Sequence, residues 1–287
     1  MNIGLALSGG GVKGAVHIGV LQALEEENIK ITHISGTSSG SIIATLYSVG
    51  YSPKEILNIF NTYCKYVFKP DRIVPLKFLK TLFTGKICLK GFCSGNNLEN
   101  LVYNYCLKKD IKNISDIKLP LAIPAVSLKD EKVTYYLSKK IDNKYINDNE
   151  NYKYYEDICK IVRASCSFPA LFSPKVIGND IFIDGGVSVN TPVNILRKMG
   201  AEKVIAVSFD NTPDLRKNYN LIDATLKSFE IMGQNVNKNE ILSADVNIIP
   251  KVSNSDLVDC SKVILYANLG YVTTKNNIDK IRQKVTN

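Results

Sequence analysis

The sequence predicts an α/β protein, a three-layer α/β/α sandwich with a mainly parallel central sheet. Short apolar runs rich in branched residues alternate with helical stretches, which is typical of strands joined by crossover helices. The chain has 287 residues and is 45% hydrophobic, which is enough for a large buried core. It contains no internal repeat and no linker rich in Pro, Gly or Ser. We therefore expect one continuous domain over residues 1–287.

The predicted elements follow one another in order along the chain. The apolar runs predict strands at Gly4–Leu7, Ile31–Ser35, Leu121–Ser127, Lys132–Leu137, Ile181–Ile183, Val204–Phe209 and Val246–Ile249. Helices are predicted at Ala15–Glu27, Ser41–Val49, Pro53–Thr62, Leu98–Leu107, Tyr154–Ala164, Val193–Met199 and Leu221–Asn237. Two more helical segments, Asp256–Leu269 and Thr274–Lys284, belong to a C-terminal helical extension with one strand, residues 210–287.

Two stretches depart from the alternation. Lys65–Cys93 holds seven Lys or Arg, one acid and two prolines among apolar residues, and we interpret it as a cap inserted over the sheet. Such a segment can lie on an anionic bilayer, with Lys77, Lys80 and Lys86 among its cations. Alternatively, its apolar residues pack onto the sheet and its lysines are merely solvated. Asp142–Lys153 is polar and is predicted to be a surface loop.

Composition narrows the classes of function. The net charge is +9, and a basic excess can serve nucleic acid, an anionic membrane surface or solubility alone. Seven cysteines without a C-x-x-C pair, beside only two histidines, argue against a zinc site. We expect reduced thiols in a cytoplasmic protein and no metal site.

A glycine-rich loop, GGGVKG at residues 9–14, follows the first predicted strand and opens a helix. Glycines let backbone N–H groups point at an anion beside a helix N-terminus. The same spacing marks dinucleotide binding, which needs an acidic residue about 20 residues further on. No carboxylate occurs in the corresponding stretch, Ile31–Gly36. The sequence therefore disfavours a nucleotide site.

A candidate nucleophile stands at the end of the second predicted strand. Residues 36–40 read GTSSG, between a strand and a helix. In that context G-x-S-x-G is a nucleophile elbow, a turn so sharp that its flanking residues must be small. We interpret Ser38 as a catalytic serine; the alternative is a plain helix N-cap. Ser39 is the nearest rival and is expected to cap or pack.

The base for this serine is not a histidine. An α/β-hydrolase triad places its histidine after the nucleophile, but His17 and His33 both precede Ser38, and we expect structural roles for both. Residues 181–186, IFIDGG, end an apolar strand in Asp184. An Asp-Gly pair alone indicates a turn. Because the elbow serine lacks any usable histidine, we predict that Asp184 is the base.

Together these motifs resemble those of the patatin-like phospholipases, in their compact bacterial branch. The resemblance rests on residues 7–14, 36–40 and 184–186, with 163–172 and 190–192 in the family's order. It covers most of residues 4–209. It is loose at Lys65–Cys93 and in the C-terminal helices, which we expect to shape an acyl pocket.

The resemblance implies a patatin-like fold and a lipid acyl hydrolase that needs no metal, calcium or other cofactor. Ser38 would attack the ester carbonyl and Asp184 would accept its proton. Backbone N–H groups of Gly9, Gly10 and Gly11 would bind the oxyanion, and Lys13 would add positive charge unless it points to solvent. The supporting glycines would be Gly14, Gly36, Gly40, Gly185 and Gly186. A carboxyl of ordinary pKa, about 3.9, is a weak base for a serine hydroxyl. We expect burial against apolar neighbours to raise the pKa of Asp184 and so make it a stronger base.

The implied substrate is a fatty-acyl ester or a phospholipid. We also expect peripheral contact with the anionic inner membrane face. We expect no nucleic-acid partner. The same motifs admit two other functions. One is a lipid-binding or regulatory protein without turnover, against which the intact motif residues count. The other is an acyltransferase that passes the acyl group to an alcohol other than water.

Overall fold

A computed structural model describes residues 1–71, 74, 90–211, 221–252 and 257–285. Its strands are β1 Ile3–Leu7, β2 His33–Gly36, β3 Leu121–Ser127, β4 Val133–Leu137, β5 Glu150–Lys153, β6 Lys175–Ile177, β7 Asp180–Asp184, β8 Lys203–Val207, β9 Asp210–Asn211, β10 Val246–Ile248 and β11 Lys251–Val252. Its α-helices are α1 Ala15–Glu26, α2 Ser39–Ser48, α3 Pro53–Val67, α4 Asn96–Leu107, α5 Ile158–Ser165, α6 Val193–Lys198, α7 Leu221–Leu242, α8 Val263–Asn276 and α9 Ile278–Val285.

The main sheet runs in the order β10-β8-β1-β2-β3-β4-β5. The strands from β10 to β3 are parallel to their neighbours, and β5 is parallel to β4. By contrast, β4 and β7 pair antiparallel with β3, and β6 pairs antiparallel with β7. The sheet is therefore mainly parallel, with one antiparallel corner around β3.

Alternation along β1 shows how two helical layers cover the sheet. Successive side chains of a strand point to opposite faces. Leu5 and Leu7 are buried in the large core that includes α1 and α2, whereas Ala6 between them is buried against α6 through Leu196. Both faces of the central strands are thus covered, which confirms the predicted three-layer sandwich.

Several predicted boundaries were wrong. Asp142–Lys153 is not wholly a loop, because β5 forms within it and Tyr152 stacks on Tyr135 of β4, with 6.1 Å between ring centroids. The C-terminal helices begin later than expected. One reason is that the Asp259 side chain accepts a hydrogen bond from the Ser261 N–H at 3.1 Å and caps a short 3-10 turn before α8. The short strands β6, β9 and β11 were not predicted.

The expectation that all cysteines are reduced was wrong for two of them. Cys64 on α3 and Cys260 form a disulfide across a sequence separation of 196 residues, whereas Cys93, Cys106, Cys159 and Cys166 are free and buried. Spacing in the sequence carried no sign of this pair. Because disulfides are rare in the cytosol, the bond removes the argument by which cysteine usage favoured a cytoplasmic location.

Most of the predicted cap, including Lys77, Lys80 and Lys86, lies outside the described residues. At its start, α3 continues to Val67, five residues beyond the predicted end. None of the helices among the described residues is both long and apolar enough to span a bilayer.

The C-terminal helix α8 packs against α1 at an unusually short distance. A Cβ added to Gly19 on α1 would lie 1.8 Å from the Ala267 carbonyl oxygen, and one added to Gly270 on α8 would lie 2.0 Å from that of Val16. Only glycine permits the two backbones to approach this closely. Helix α8 is therefore joined to the sheet through α1, whereas α9 contacts β8 directly.

We predict that Gly19→Ala lowers stability by about 1–3 kcal/mol because the added methyl group must push α8 away from α1. Urea unfolding followed by circular dichroism measures this change. Gln22→Ala, on the exposed side of the same helix, is the matched control and should change stability little. Equal stability of Gly19→Ala and the wild type would contradict the close approach.

Candidate active site

The ends of β2 and β7 meet because both strands pair with the same edge of β3. Ile34 and Ser35 of β2 lie opposite the start of β3, and residues 182–184 of β7 lie opposite its end in the antiparallel direction. The other edge of β3 is occupied by β4. The two strands thus run toward each other, and the segments that leave their carboxyl ends converge. Asp184 ends an apolar strand, as predicted, and this strand is antiparallel to β3.

Ser38 sits in a strained turn between β2 and α2. Its backbone has φ 52° and ψ −123°, a region that costs a non-glycine residue about 1–3 kcal/mol. A Cβ on Gly36 would lie 2.3 Å from the Gly40 oxygen, and one on Gly40 would lie 2.5 Å from the Leu7 oxygen. These contacts explain both glycines of the motif. Ser38 is also the N-cap of α2, but its side chain makes no capping hydrogen bond.

Asp184 is the buried carboxylate of the site, with 1% of its surface exposed. Its Oδ1 accepts the Gly186 N–H at 2.8 Å. Burial raises the pKa of Asp184 to about 7, against the lowering effects of that N–H, the Ser38 hydroxyl and the Arg163 guanidinium. Oδ2 has no hydrogen-bond partner among the described residues. The Ser38 hydroxyl therefore lowers the pKa of Asp184 without forming a hydrogen bond of standard geometry to Oδ2. Hydrogen bonds between catalytic groups often tighten only when the substrate binds.

Two N–H groups of the glycine-rich loop have no hydrogen-bond partner among the described residues. The Gly9 N–H donates to Asn190, at 3.2 Å to the carbonyl oxygen and 3.1 Å to Oδ1. This N–H is therefore already engaged, contrary to the expectation that Gly9 is a third oxyanion donor. No hydrogen bond from the Gly10 or Gly11 N–H occurs within the described part of the chain. Lys13 is 2% exposed and lines the same cavity, which excludes the alternative that its side chain points to solvent.

Three hydrogen bonds join the elbow to the segments around Asp184. The Ser35 hydroxyl donates to the Pro192 oxygen at 2.6 Å, and the Thr37 hydroxyl to the Val189 oxygen at 2.9 Å. The Ser38 N–H donates to the Ser165 hydroxyl at 3.1 Å. Together with Asn190, Ser165 is a site residue that sequence analysis passed over, although both belong to the segments that carried the family resemblance.

Arg163 clamps the segment that precedes Asp184. Its guanidinium is 1% exposed and donates to the Ser94 oxygen at 3.1 Å, the Ser167 hydroxyl at 2.8 Å and the Ser173 oxygen at 2.7 Å. The Ser167 carbonyl in turn accepts the Asp184 N–H at 3.1 Å. The buried cation thus fixes the backbone against which the carboxylate is anchored.

Ser38 and Asp184 open into one apolar cavity of about 440 Å³. Its polar end also contains Asn190, Ser208 and Asp210. The rest is lined by aliphatic and aromatic side chains, mainly from α2, α3, α4 and α7: Ile42, Leu46, Ile59, Phe60, Val67, Phe68, Leu98, Leu101, Phe172, Phe229 and Ile241. A polar, reactive end followed by an apolar pocket suits an ester that carries a hydrocarbon chain.

Other candidate groups do not fit a catalytic role. His17 is fully buried, its Nε2 lies 2.8 Å from the Ser8 carbonyl, and burial lowers its pKa to about 4. Neither His17 nor His33 lines the cavity. Cys166 does line it, but burial raises the pKa of its thiol to about 12, so the nucleophilic thiolate is scarce at neutral pH. Ser39 is buried and packs against Gly14. Among the described residues, no three metal-binding side chains cluster.

The fold and site define an α/β protein with an elbow serine and a buried carboxylate at the polar end of an apolar cavity. The chain belongs to the patatin-like phospholipase family, whose model matches residues 5–197.

Relatives of known sequence agree with this assignment. The chain is 28% identical over 212 residues to the lysophospholipase NTE1 of Candida glabrata, covering 74% of this chain but 11% of that protein. It therefore spans about a tenth of this fungal relative. It is 27% identical over 264 residues to the probable lipid hydrolase 463L of Invertebrate iridescent virus 6, covering 88% of this chain and 79% of the viral protein. Among solved structures, VipD from Legionella pneumophila superimposes with a TM-score of 0.49 at 16% identity, over 97% of this chain and 66% of that one.

We predict that Asn190→Ala lowers kcat/KM for an ester by up to about 100-fold. The Gly9 N–H would lose its bond to Oδ1 and keep only the one to the residue 190 carbonyl, so the glycine-rich loop would be held less firmly relative to Ser38. Steady-state kinetics with a soluble ester measure the effect. The control Asn194→Ala removes the same side chain four residues later, where it is exposed and bonds Glu240 at 2.8 Å. Asn194→Ala should keep nearly full activity, and a loss equal to that of Asn190→Ala would contradict the role of Asn190.

Proposed function

We propose that the protein is a serine acyl hydrolase that cleaves fatty-acyl esters with Ser38 as nucleophile and Asp184 as base. One observation carries the proposal: a serine in a strained elbow and a buried carboxylate with a pKa near neutrality share the polar end of an apolar cavity. Membership of the patatin-like phospholipase family and the similarity to proteins named lysophospholipase and lipid hydrolase support the same reaction.

The proposed reaction has two halves. Ser38 Oγ attacks the ester carbonyl carbon while Oδ2 of Asp184 accepts the hydroxyl proton. The N–H groups of Gly10 and Gly11 stabilise the oxyanion, and Lys13 adds positive charge at the same end. When the C–O bond breaks, the leaving alcohol takes the proton from Asp184. Water then attacks the acyl-enzyme while Asp184 accepts a proton from it. When the bond between the acyl carbon and Ser38 Oγ breaks, Oγ takes this proton from Asp184, which frees Ser38 and the fatty acid.

The raised pKa gives Asp184 its basicity. A carboxyl of ordinary pKa would hold the serine proton too weakly, whereas burial makes the protonated form of Asp184 accessible near neutral pH. Arg163 works in the opposite direction, since its positive charge lowers the pKa of Asp184 and keeps a large fraction ionised. A carboxylate tuned in this way can both accept and return a proton in one cycle.

The proposed substrate is a phospholipid, a lysophospholipid or another fatty-acyl ester. The aliphatic and aromatic lining accommodates a hydrocarbon chain, while the carbonyl group remains beside Ser38. The cytoplasmic location that we expected from the sequence, with peripheral contact at the inner membrane face, stays a prediction.

We predict that Ser38→Ala abolishes both ester hydrolysis and labelling by a fluorophosphonate probe, because Ser38 Oγ is the proposed nucleophile. Hydrolysis of p-nitrophenyl esters from short to long chains and mass spectrometry of the labelled protein are the measurements. Labelling of another serine in Ser38→Ala, with activity retained, would show that the elbow serine is not the nucleophile.

We predict that Asp184→Asn lowers kcat by about 10²–10⁴-fold because an amide cannot accept the proton. Asp180→Asn is the matched control, since Asp180 begins the same strand and binds the Ser127 hydroxyl at 2.9 Å outside the cavity. The control variant should keep most of the activity. Comparable losses in the two variants would remove the reason for assigning the base to Asp184.

The raised pKa of Asp184 predicts the pH dependence. Only the ionised carboxylate can accept a proton, so kcat/KM should rise with pH, with an apparent pKa of about 7, and level off above it. Rates on a soluble ester across acid and neutral buffers measure this limb. A profile that stays flat down to the acid range of an ordinary carboxyl would rule out a buried base with a raised pKa.

A further inference from the structure

An exposed surface rich in tyrosine and lysine lies beside the cavity. It is formed by residues 62–69 at the end of α3 and residues 100–109 at the end of α4; we call it the Tyr–Lys surface. These two stretches contain four tyrosines and four lysines but no Asp or Glu. Tyr66 is 62% exposed, Tyr103 43% and Leu107 46%. Its four lysines, Lys65, Lys69, Lys108 and Lys109, are also exposed.

Ring and cation contacts make the two helix ends one surface. The Tyr63 and Tyr105 rings lie edge to face, with centroids 6.0 Å apart, and so join α3 to α4. Lys108 Nζ lies 4.7 Å from the centroid of the Tyr105 ring. The Tyr51 hydroxyl donates to the Tyr105 oxygen at 2.9 Å and fixes the position of α4. These contacts hold Tyr63, Tyr105 and Lys108 together and so fix the ends of α3 and α4 beside each other.

The Tyr–Lys surface is continuous with the cavity that contains Ser38. Tyr63 and Leu101 line both this cavity and the depression between α3 and α4. Tyr63 is 37% exposed, so its ring reaches from the cavity to solvent. Val67, on the same helix, lines the cavity one turn further on. An acyl chain that enters between these helix ends would pass directly over the Tyr–Lys surface.

We propose that the Tyr–Lys surface docks the protein on an anionic lipid bilayer and presents the cavity to it. Tyrosine rings are favoured at membrane–water interfaces because one end is apolar and the other is polar. Lysines near a negatively charged leaflet add favourable electrostatic energy. The two stretches contain no Asp or Glu, and the carboxylates nearest to them along the chain are Asp71, Glu99 and Asp110. The role of the surface in catalysis rests on the proposed lipid acyl hydrolase function, whereas binding itself does not require turnover.

Sedimentation with vesicles tests the proposal in the Ser38→Ala variant, in which the substitution prevents hydrolysis during the measurement. We expect binding to vesicles that contain phosphatidylglycerol, little binding to phosphatidylcholine alone, and release as salt screens the charges. Replacing Lys65, Lys69, Lys108 and Lys109 by Gln should weaken binding roughly fivefold for each lysine. Tyr66→Ser with Tyr103→Ser should weaken it further without a change of charge.

A matched control replaces four exposed lysines outside the surface by Gln: Lys118, Lys129, Lys139 and Lys140. This variant has the same net charge as the surface variant and should bind vesicles much more tightly. Equal loss in the two variants would mean that net charge alone drives binding, and equal binding to neutral and anionic vesicles would also overturn the proposal.

Hydrolysis separates this proposal from the proposed function. With Ser38 restored, the surface variant should lose vesicle hydrolysis but keep hydrolysis of a soluble short-chain ester, because none of its four lysines lines the cavity. A protein that binds anionic vesicles but hydrolyses no ester would refute the proposed function alone. Normal ester hydrolysis, with vesicle binding unaffected by the four substitutions, would refute the docking surface alone.

Discussion

The site depends on the close approach of three backbone segments at the elbow: the end of β1, the end of β2 and the start of α2. Gly36 and Gly40 stand where any side chain would strike the Gly40 or Leu7 carbonyl oxygen. Because β1 and β2 are adjacent parallel strands, this contact also sets the glycine-rich loop after β1 beside the serine after β2. Hydrogen bonds on both sides of Ser38 hold its strained backbone in place. The Thr37 N–H donates to the Leu7 carbonyl at 3.1 Å, and the Gly40 N–H donates to the Thr37 carbonyl at 2.8 Å.

The carboxylate reaches the serine through sheet topology. Both β2 and β7 use one edge of β3, in opposite directions, so their ends face each other. Arg163 and Ser167 hold the segment before Asp184, and Asn190 holds the glycine-rich loop against the segment after it. Packing around this junction leaves Asp184 only 1% exposed, and this burial raises its pKa. The position and the basicity of the carboxylate therefore have one physical origin.

The C-terminal part completes the site, although the family model ends at residue 197. The Leu257 carbonyl accepts the Val12 N–H at 2.9 Å and so supports the turn that carries Gly10 and Gly11. The Cys64–Cys260 disulfide joins this segment to α3, which lines the cavity. Asn237 of α7, 3% exposed, bonds the Thr191 N–H at 2.8 Å behind the Asp184 loop. Residues after the family region thus brace both halves of the site.

The sequence by itself indicated most of the elements and the elbow, because strand periodicity and glycine spacing are properties of short segments. It also singled out Ser38 and Asp184 as the candidate pair, because no histidine follows Ser38 in the chain. It could not indicate that β7 is antiparallel, that Gly9 is bonded to Asn190, or that Cys64 pairs with Cys260. Nor did it show which residues would brace the carboxylate, since Arg163 and Ser94 are 69 residues apart. These features depend on which segments become neighbours, and that is decided when strands share an edge and side chains compete for one buried volume.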